Sequence, residues 1–188
     1  MRFSRHFLAL LPCAIALEVT AVPARASGSE TNTERAVTTV SALDIERYSG
    51  LWYEIARIPN RFQEKCARET TAEYQLRGDG RITVVNRCRK KDGSVTEARG
   101  VAKIVDTTSN AKLKVSFVSF LGWRPFWGDY WVIGLDESYQ WAVIGTPDRE
   151  YGWVLARSPA LDEDIMEEIF TIIEGNGYKR DAFEMSNR

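Results

Sequence analysis

Glu54, the pair Cys66 and Cys88, and a set of tyrosines are the groups in this 188-residue chain with chemistry to offer. Their setting argues for binding rather than turnover. The single histidine is His6, and it lies in what reads as a targeting segment. Arg2 and Arg5 precede an apolar run from Phe7 to Leu17, and Ala24-Arg25-Ala26 offers a small-residue cleavage site. The run is shorter than the roughly 20 residues a membrane span needs. Residues 1–26 are therefore expected to leave as a signal peptide, with a flexible segment over 27–42 and one folded domain over 43–188. Losing His6 removes any Ser/His or Cys/His pair, histidine-ligated haem or histidine-containing zinc site. No catalytic residue, metal or cofactor is expected.

Cys13 also lies in the targeting segment. Pro12 precedes it and Ala14 to Leu17 continue the apolar run, so simple cleavage is expected rather than lipid attachment. That leaves Cys66 and Cys88 as a pair in an oxidising compartment, where such pairs close. A bridge at this spacing favours the folded state by about 3 kcal/mol in the chain-entropy model. The full chain has a formal net charge of −1, and without Arg2, Arg5, Arg25 and Glu18 it becomes more acidic. Nucleic-acid binding rests on concentrated cationic surface, so no nucleic-acid partner is expected. Nothing in the sequence speaks to oligomeric state.

The elements that must position these residues read as strands followed by a helix. Leu43–Tyr48 is a short helical lead-in to a strand over Leu51–Ile58. Thr71–Arg77 and Arg81–Arg89 flank Gly78-Asp79-Gly80, a hairpin signal. Lys90–Ser94 reads as a turn before Val95–Val105, and strands over Lys112–Val118, Tyr130–Leu135, Gln140–Thr146 and Tyr151–Arg157 follow. Eight antiparallel strands without helical crossovers are best completed by closing on themselves, which removes both sheet edges. The expected fold class is all-β, an eight-stranded antiparallel up-and-down β-barrel with one C-terminal α-helix packed outside. That helix would be capped by Asp162, carry Glu163 and Asp164 in its first turn, and end at Gly175 or Gly177. Leu161, Ile165, Met166, Ile169, Phe170, Ile172 and Ile173 give it one apolar stripe.

Alternation along the strands indicates what the barrel holds. Ala72, Tyr74 and Leu76 share one face, as do Ile82, Val84 and Asn86, then Ala98, Gly100, Ala102 and Ile104, then Leu113, Val115 and Phe117. The inward set is apolar and partly small. Ala98, Gly100 and Ala102 leave space for one small ligand; the alternative is that Tyr74, Phe117 and Trp153 fill it. Asn86 and the Tyr74 hydroxyl are the polar groups that would orient a ligand.

Several of these motifs occur together and in order. Gly50-x-Trp52 with Tyr53-Glu54-Ile55, Tyr74-x-Leu76 before an Asp-Gly turn, and Ile82-x-Val84-x-Asn86 are followed by Lys112-Leu113-x-Val115-x-Phe117, Tyr130-Trp131-Val132-Ile133 and Trp153-x-Leu155-x-Arg157-x-Pro159. Over roughly Leu43 to Phe183 the chain resembles the lipocalins, in particular the bacterial outer-membrane lipoprotein type and apolipoprotein D. The resemblance implies a barrel closed at the end carrying Gly50, Trp52 and Arg157, with the arginine stacked on the tryptophan. Cation–π contacts of this kind are worth about 0.5 to 2 kcal/mol. Those residues would be structural. The family's Thr-Asp-Tyr motif departs here to Leu135-Asp136, leaving Asp136 to serve the turn.

Strand direction from that closed end puts the links Pro59–Thr70 and Ser119–Asp129 at the open mouth. A Cys66–Cys88 disulfide would pin the first to the wall. The second contains Phe120, Leu121, Trp123, Phe126 and Trp127, an aromatic rim suited to lipid tails or to peripheral contact with a membrane. Glu54 shares a face with Trp52, where a lone carboxylate would be costly unless paired; Arg57 or tyrosine hydroxyls could satisfy it, or it could orient a headgroup or act as an acid. The resemblance implies a protein that stores or transports a small hydrophobic ligand such as a fatty acid or lysophospholipid. Tyr74, Phe117, Tyr130 and Trp153 would supply wall contacts, with Asn86 at the polar end. The competing readings are an enzyme acting on a lipophilic substrate, and an interaction protein with a filled barrel. The chain is expected to be exported, periplasmic or secreted, with association with the outer membrane as a further option.

Overall fold

The computed structural model describes residues 36–187. The expected signal peptide, Cys13 and the first part of the expected flexible segment lie outside them. A short helix α1 (Ile45–Tyr48), whose first amides at Glu46 and Arg47 are capped by Asp44 Oδ1, leads into β1 (Gly50–Arg57). There follow β2 (Arg68–Leu76), β3 (Ile82–Arg89), β4 (Val95–Ile104), β5 (Lys112–Ser116), β6 (Gly128–Leu135), β7 (Trp141–Gly145) and β8 (Gly152–Ala156). Each strand pairs antiparallel with the next, and β1 joins both β8 and β2, so the meander closes into a barrel. The helix α2 (Glu163–Gly175) packs outside it.

Two apolar layers explain the closure. Inside, Trp52, Tyr74, Ile82, Val84, Leu113, Val132, Ile144 and Leu155 pack together. Outside, Ile55, Ile133, Val143 and Val154 meet Met166, Ile169, Phe170 and Ile173 of α2. β7 is therefore buried along its whole length, whereas β2 to β4 alternate inward apolar residues with an outward charged set. On that outer face Arg87 bridges Glu73 and Glu97, each at 2.8 Å. The α2 stripe forms as its spacing predicts, but Asp162 caps it differently. Its side chain makes no capping bond, and its carbonyl accepts from the Met166 amide at 3.0 Å.

Of the departures from the sequence reading, three bear on the two ends of the barrel and its lead-in. The first is a ninth strand, β9 (Glu184–Met185), on the upper part of β1. β1 pairs with β2 only from Gly50 to Tyr53, and its register with β8 shifts between Glu54 and Ala56. The edge freed above Tyr53 takes the C-terminus: the Ser186 amide donates to the Ile55 carbonyl, and the Glu69 amide on β2 donates to the Asn187 carbonyl. The second is that residues 36–42, part of the segment expected to be flexible, are held against the domain. Val37 is buried, the Val40 amide donates to the Val132 carbonyl at 3.0 Å, and the Thr38 amide donates to Asn176 Oδ1 at 2.8 Å. The third is that β5 ends at Ser116, two residues early, because the chain turns into the mouth loop there.

Candidate functional site

Gly50, Trp52, Asp136 and Arg157 assemble at one end of the barrel. The Arg157 guanidinium lies 3.8 Å from the centroid of the Trp52 ring, which is completely buried. Arg157 Nη1 donates to the Leu51 carbonyl at 2.7 Å, while Nη2 reaches the carbonyls of Arg47, Tyr48 and Ser49. A planar fork matched to several acceptors suits arginine alone. Gly50 permits the turn beneath it, with φ of +98° and a position where a Cβ would sit 3.4 Å from Arg157 Nη1. Asp136 Oδ2 accepts from the Ser138 and Gln140 amides, each at 3.0 Å, and so holds the β6–β7 turn. Tyr139 in that turn accepts from the Asp44 amide, and the Arg47 guanidinium sits 4.0 Å from its ring. This end is a finished floor.

Above it the wall encloses side chains that are not fully packed. Tyr48 and Tyr74 are buried, at 4% and 7% exposure, but Asn86, Ala98, Val115, Tyr130 and Trp153 retain accessible surface although they face inward. These are the inward positions at which the wall is least tightly packed. Asn86 pairs across the wall with Ala72 and Ala98, and its Oδ1 is buried with no hydrogen-bond partner. Gly100 does not add to the room, because Phe117 lies where a side chain at Gly100 would point; a Cβ there would come within 2.8 Å of the ring. Phe117 itself falls beyond the end of β5 and is 41% exposed, toward the mouth rather than deep in the wall.

The structure joins Tyr74 to Tyr130 through their hydroxyls at 2.8 Å, and adds a residue that strand alternation could not nominate. Tyr48, on α1, places its hydroxyl 2.6 Å from that of Tyr130. Burial pushes all three phenols well above the usual tyrosine range, so they stay neutral.

Glu54 faces inward near the mouth and is only 8% exposed. Arg57 Nη1 and Ser186 Oγ both donate to its Oε1 at 2.6 Å, and Gln63 Nε2 donates to its Oε2. Trp153 Nε1 and Asn60 Nδ2 then converge on Gln63 Oε1, each at 2.9 Å. The carboxylate thus ties together β1, the loop over residues 58–67 and the C-terminus. Arg57 serves it, while the tyrosine hydroxyls serve one another. Gln63 and Ser186 carry no pattern that a sequence reading could have used. The Cys66–Cys88 disulfide, with Cα atoms 5.5 Å apart, fastens the same loop to β3.

The second mouth loop separates its aromatic residues. Trp123 and Phe126 stand out at 68% and 70% exposure. Trp127 folds back instead: its Nε1 donates to the Arg124 carbonyl, and Lys103 Nζ sits 4.4 Å from the ring centroid.

Comparison with known proteins agrees with this architecture. Residues 43–188 match the family model described as a lipocalin-like domain. The outer membrane lipoprotein Blc of Escherichia coli (strain K12) is 38% identical over 150 residues, 79% of this chain and 81% of that protein. Temperature-induced lipocalin-1 of Arabidopsis thaliana is 42% identical over 142 residues, covering 74% of this chain and 76% of that one. Apolipoprotein D of Macaca fascicularis is 34% identical over 140 residues, 71% and 70% of the two chains. Among solved structures, insecticyanin from the tobacco hornworm Manduca sexta superposes with a TM-score of 0.66 at 21% identity, over 81% of this chain and 84% of that one, which speaks for the fold alone.

Proposed function

Given that the chain belongs to the lipocalin family, whose members bind small hydrophobic ligands, we propose that its barrel takes up a single-chain lipid, a fatty acid or lysophospholipid, and stores or carries it. The observation that carries this reading is Asn86, an inward amide with a buried and unpartnered Oδ1 between Ala72 and Ala98. A buried acceptor without a partner costs about 1 to 3 kcal/mol, and a donor at the ligand's polar end, the glycerol hydroxyl of a lysophospholipid or the hydrogen of a protonated carboxyl group, is what would relieve it. The acyl chain would gain about 0.8 kcal/mol for each methylene removed from water. Tyr74, Tyr130 and Trp153 supply wall for it, with Phe117 nearer the mouth. Trp123 and Phe126 supply an apolar rim through which a tail passes and which touches a membrane surface peripherally. The named relatives that are outer membrane lipoproteins support an exported, periplasmic or secreted location.

Native mass spectrometry of the gently purified protein tests the reading. An adduct of lipid mass that disappears on organic extraction is expected, together with rebinding of a fatty acid or lysophospholipid weakened about two- to tenfold by Asn86→Leu. A clean apo mass across both lipid classes would overturn it in favour of a filled barrel.

A further inference from the structure

The hydroxyls of Tyr48, Tyr130 and Tyr74 form a row, with Tyr130 in the middle. Each phenol has one hydrogen to donate. Two oxygen–oxygen contacts use two of those three hydrogens, and the third has no acceptor among the described residues. Three arrangements are possible, leaving it on Tyr48, on Tyr74 or on Tyr130. Tyr48 and Tyr74 are buried, and their rings pack at 5.4 Å from each other with Tyr48 also 4.9 Å from Trp52, so a spare donor there would be left unsatisfied. Tyr130 is the one member of the three that is not fully buried. The arrangement of lowest cost has Tyr48 and Tyr74 both donating to Tyr130, and Tyr130 donating into the barrel. A hydroxyl that accepts two hydrogen bonds is polarised into a better donor.

Resting on the reading that the barrel holds a lipid, we propose that the Tyr130 hydroxyl is a deep anchor for an uncharged oxygen acceptor on the buried part of the ligand, a keto, ester or ether oxygen. The preferred ligands are then oxygenated lipids rather than plain hydrocarbon chains. A carboxylate is a poor occupant of this position. It would need a cation in a dry site, and the guanidinium of Arg157 lies against the Trp52 ring with its donors engaged by backbone carbonyls. Asn86 offers a different station. It lies one inward step along the wall from Tyr74, since Ala72 is its partner and Tyr74 pairs with Val84.

The test is a binding series on the full chain with octadecanoic acid and its oxo derivatives, the keto group moved stepwise along the chain, read by displacement of a fluorescent fatty acid. At least one oxo acid should bind about two- to tenfold more tightly than the parent. Tyr130→Phe should abolish that preference, read as the ratio of oxo-acid to parent-acid affinity within the same variant. Because Tyr130→Phe also breaks the hydroxyl row, a second readout uses the unaltered protein: the infrared carbonyl band of the bound, isotopically labelled oxo acid should move to lower wavenumber than in hydrocarbon solvent. No preferred oxo acid, a preference that survives Tyr130→Phe, or an unshifted carbonyl band would overturn the assignment while leaving lipid binding intact. Failure of the parent acid and every oxo acid to bind would remove both readings together.

Discussion

The floor and the mouth of this barrel use the same materials, a tryptophan, an arginine and a few oxygen acceptors, yet they are closed in different ways. At the floor Arg157 bonds the carbonyls of four residues between Arg47 and Leu51, a single covalent turn, and covers Trp52. At the mouth the acceptor is a side chain, Glu54, and its donors come from three places: Arg57 on β1, Gln63 in a loop and Ser186 at the C-terminus. Trp153 there points its Nε1 at Gln63 and is only partly buried. Acceptors on one turn cannot leave separately, whereas a junction of three segments can loosen one segment at a time. The floor is held through one stretch of chain, and the mouth through side chains from three.

The largest effect should come from the floor. Trp52→Ala removes a fully buried ring and leaves Arg157 without its stacking partner, and is expected to cost about 3 to 5 kcal/mol, measured as a loss in denaturant midpoint. A loss below about 1 kcal/mol would mean that the floor is no more rigid than the mouth. Next is the disulfide. Cys66→Ser with Cys88→Ser should cost about 3 kcal/mol, since the bridge closes a separation of 22 residues. Unlike Trp52→Ala, it should also speed exchange of bound lipid, because the loop carrying Gln63 loses its tie to β3. Equal exchange rates in the reduced and oxidised protein would break the distinction.

The two ends were also unequally legible. Gly50, Trp52 and Arg157 follow from residue type, from strand ends and from a recognisable order of motifs, and the inward apolar faces follow from a period of two. The mouth depends on contacts that have no period. Gln63 lies in a loop, Ser186 follows a two-residue strand, and β9 is too short to announce itself by alternation. Tyr48 was hidden for a related reason. Its role comes from a hydroxyl contact spanning 82 positions in the chain, and it sits on a four-residue helix whose faces sequence alone does not orient. The space left by Gly100 was misjudged because Phe117, past the strand end, leans back over it.

The smallest effect on stability, and the most direct probe of the mouth, should come from its rim. Trp123 and Phe126 are mostly exposed, so replacing both with Ser should change stability by no more than about 0.5 kcal/mol. The same pair should slow transfer of an acyl ligand from phospholipid vesicles, because a tail leaving a bilayer then crosses polar surface before reaching the barrel. Trp127→Ser should behave oppositely. It removes a bond to the Arg124 carbonyl and the contact with Lys103, which brace the loop on the outer wall, so it should lower the thermal midpoint more than the double replacement and affect transfer less. The comparison is sharp because the three residues share one loop and differ only in which way they face. If all three slow transfer alike, the rim acts through loop rigidity rather than apolar surface. If none does, ligands reach the interior without touching the aromatic loop, and the opening must lie on the side bounded by Phe62 and Tyr151, whose rings meet at 5.7 Å.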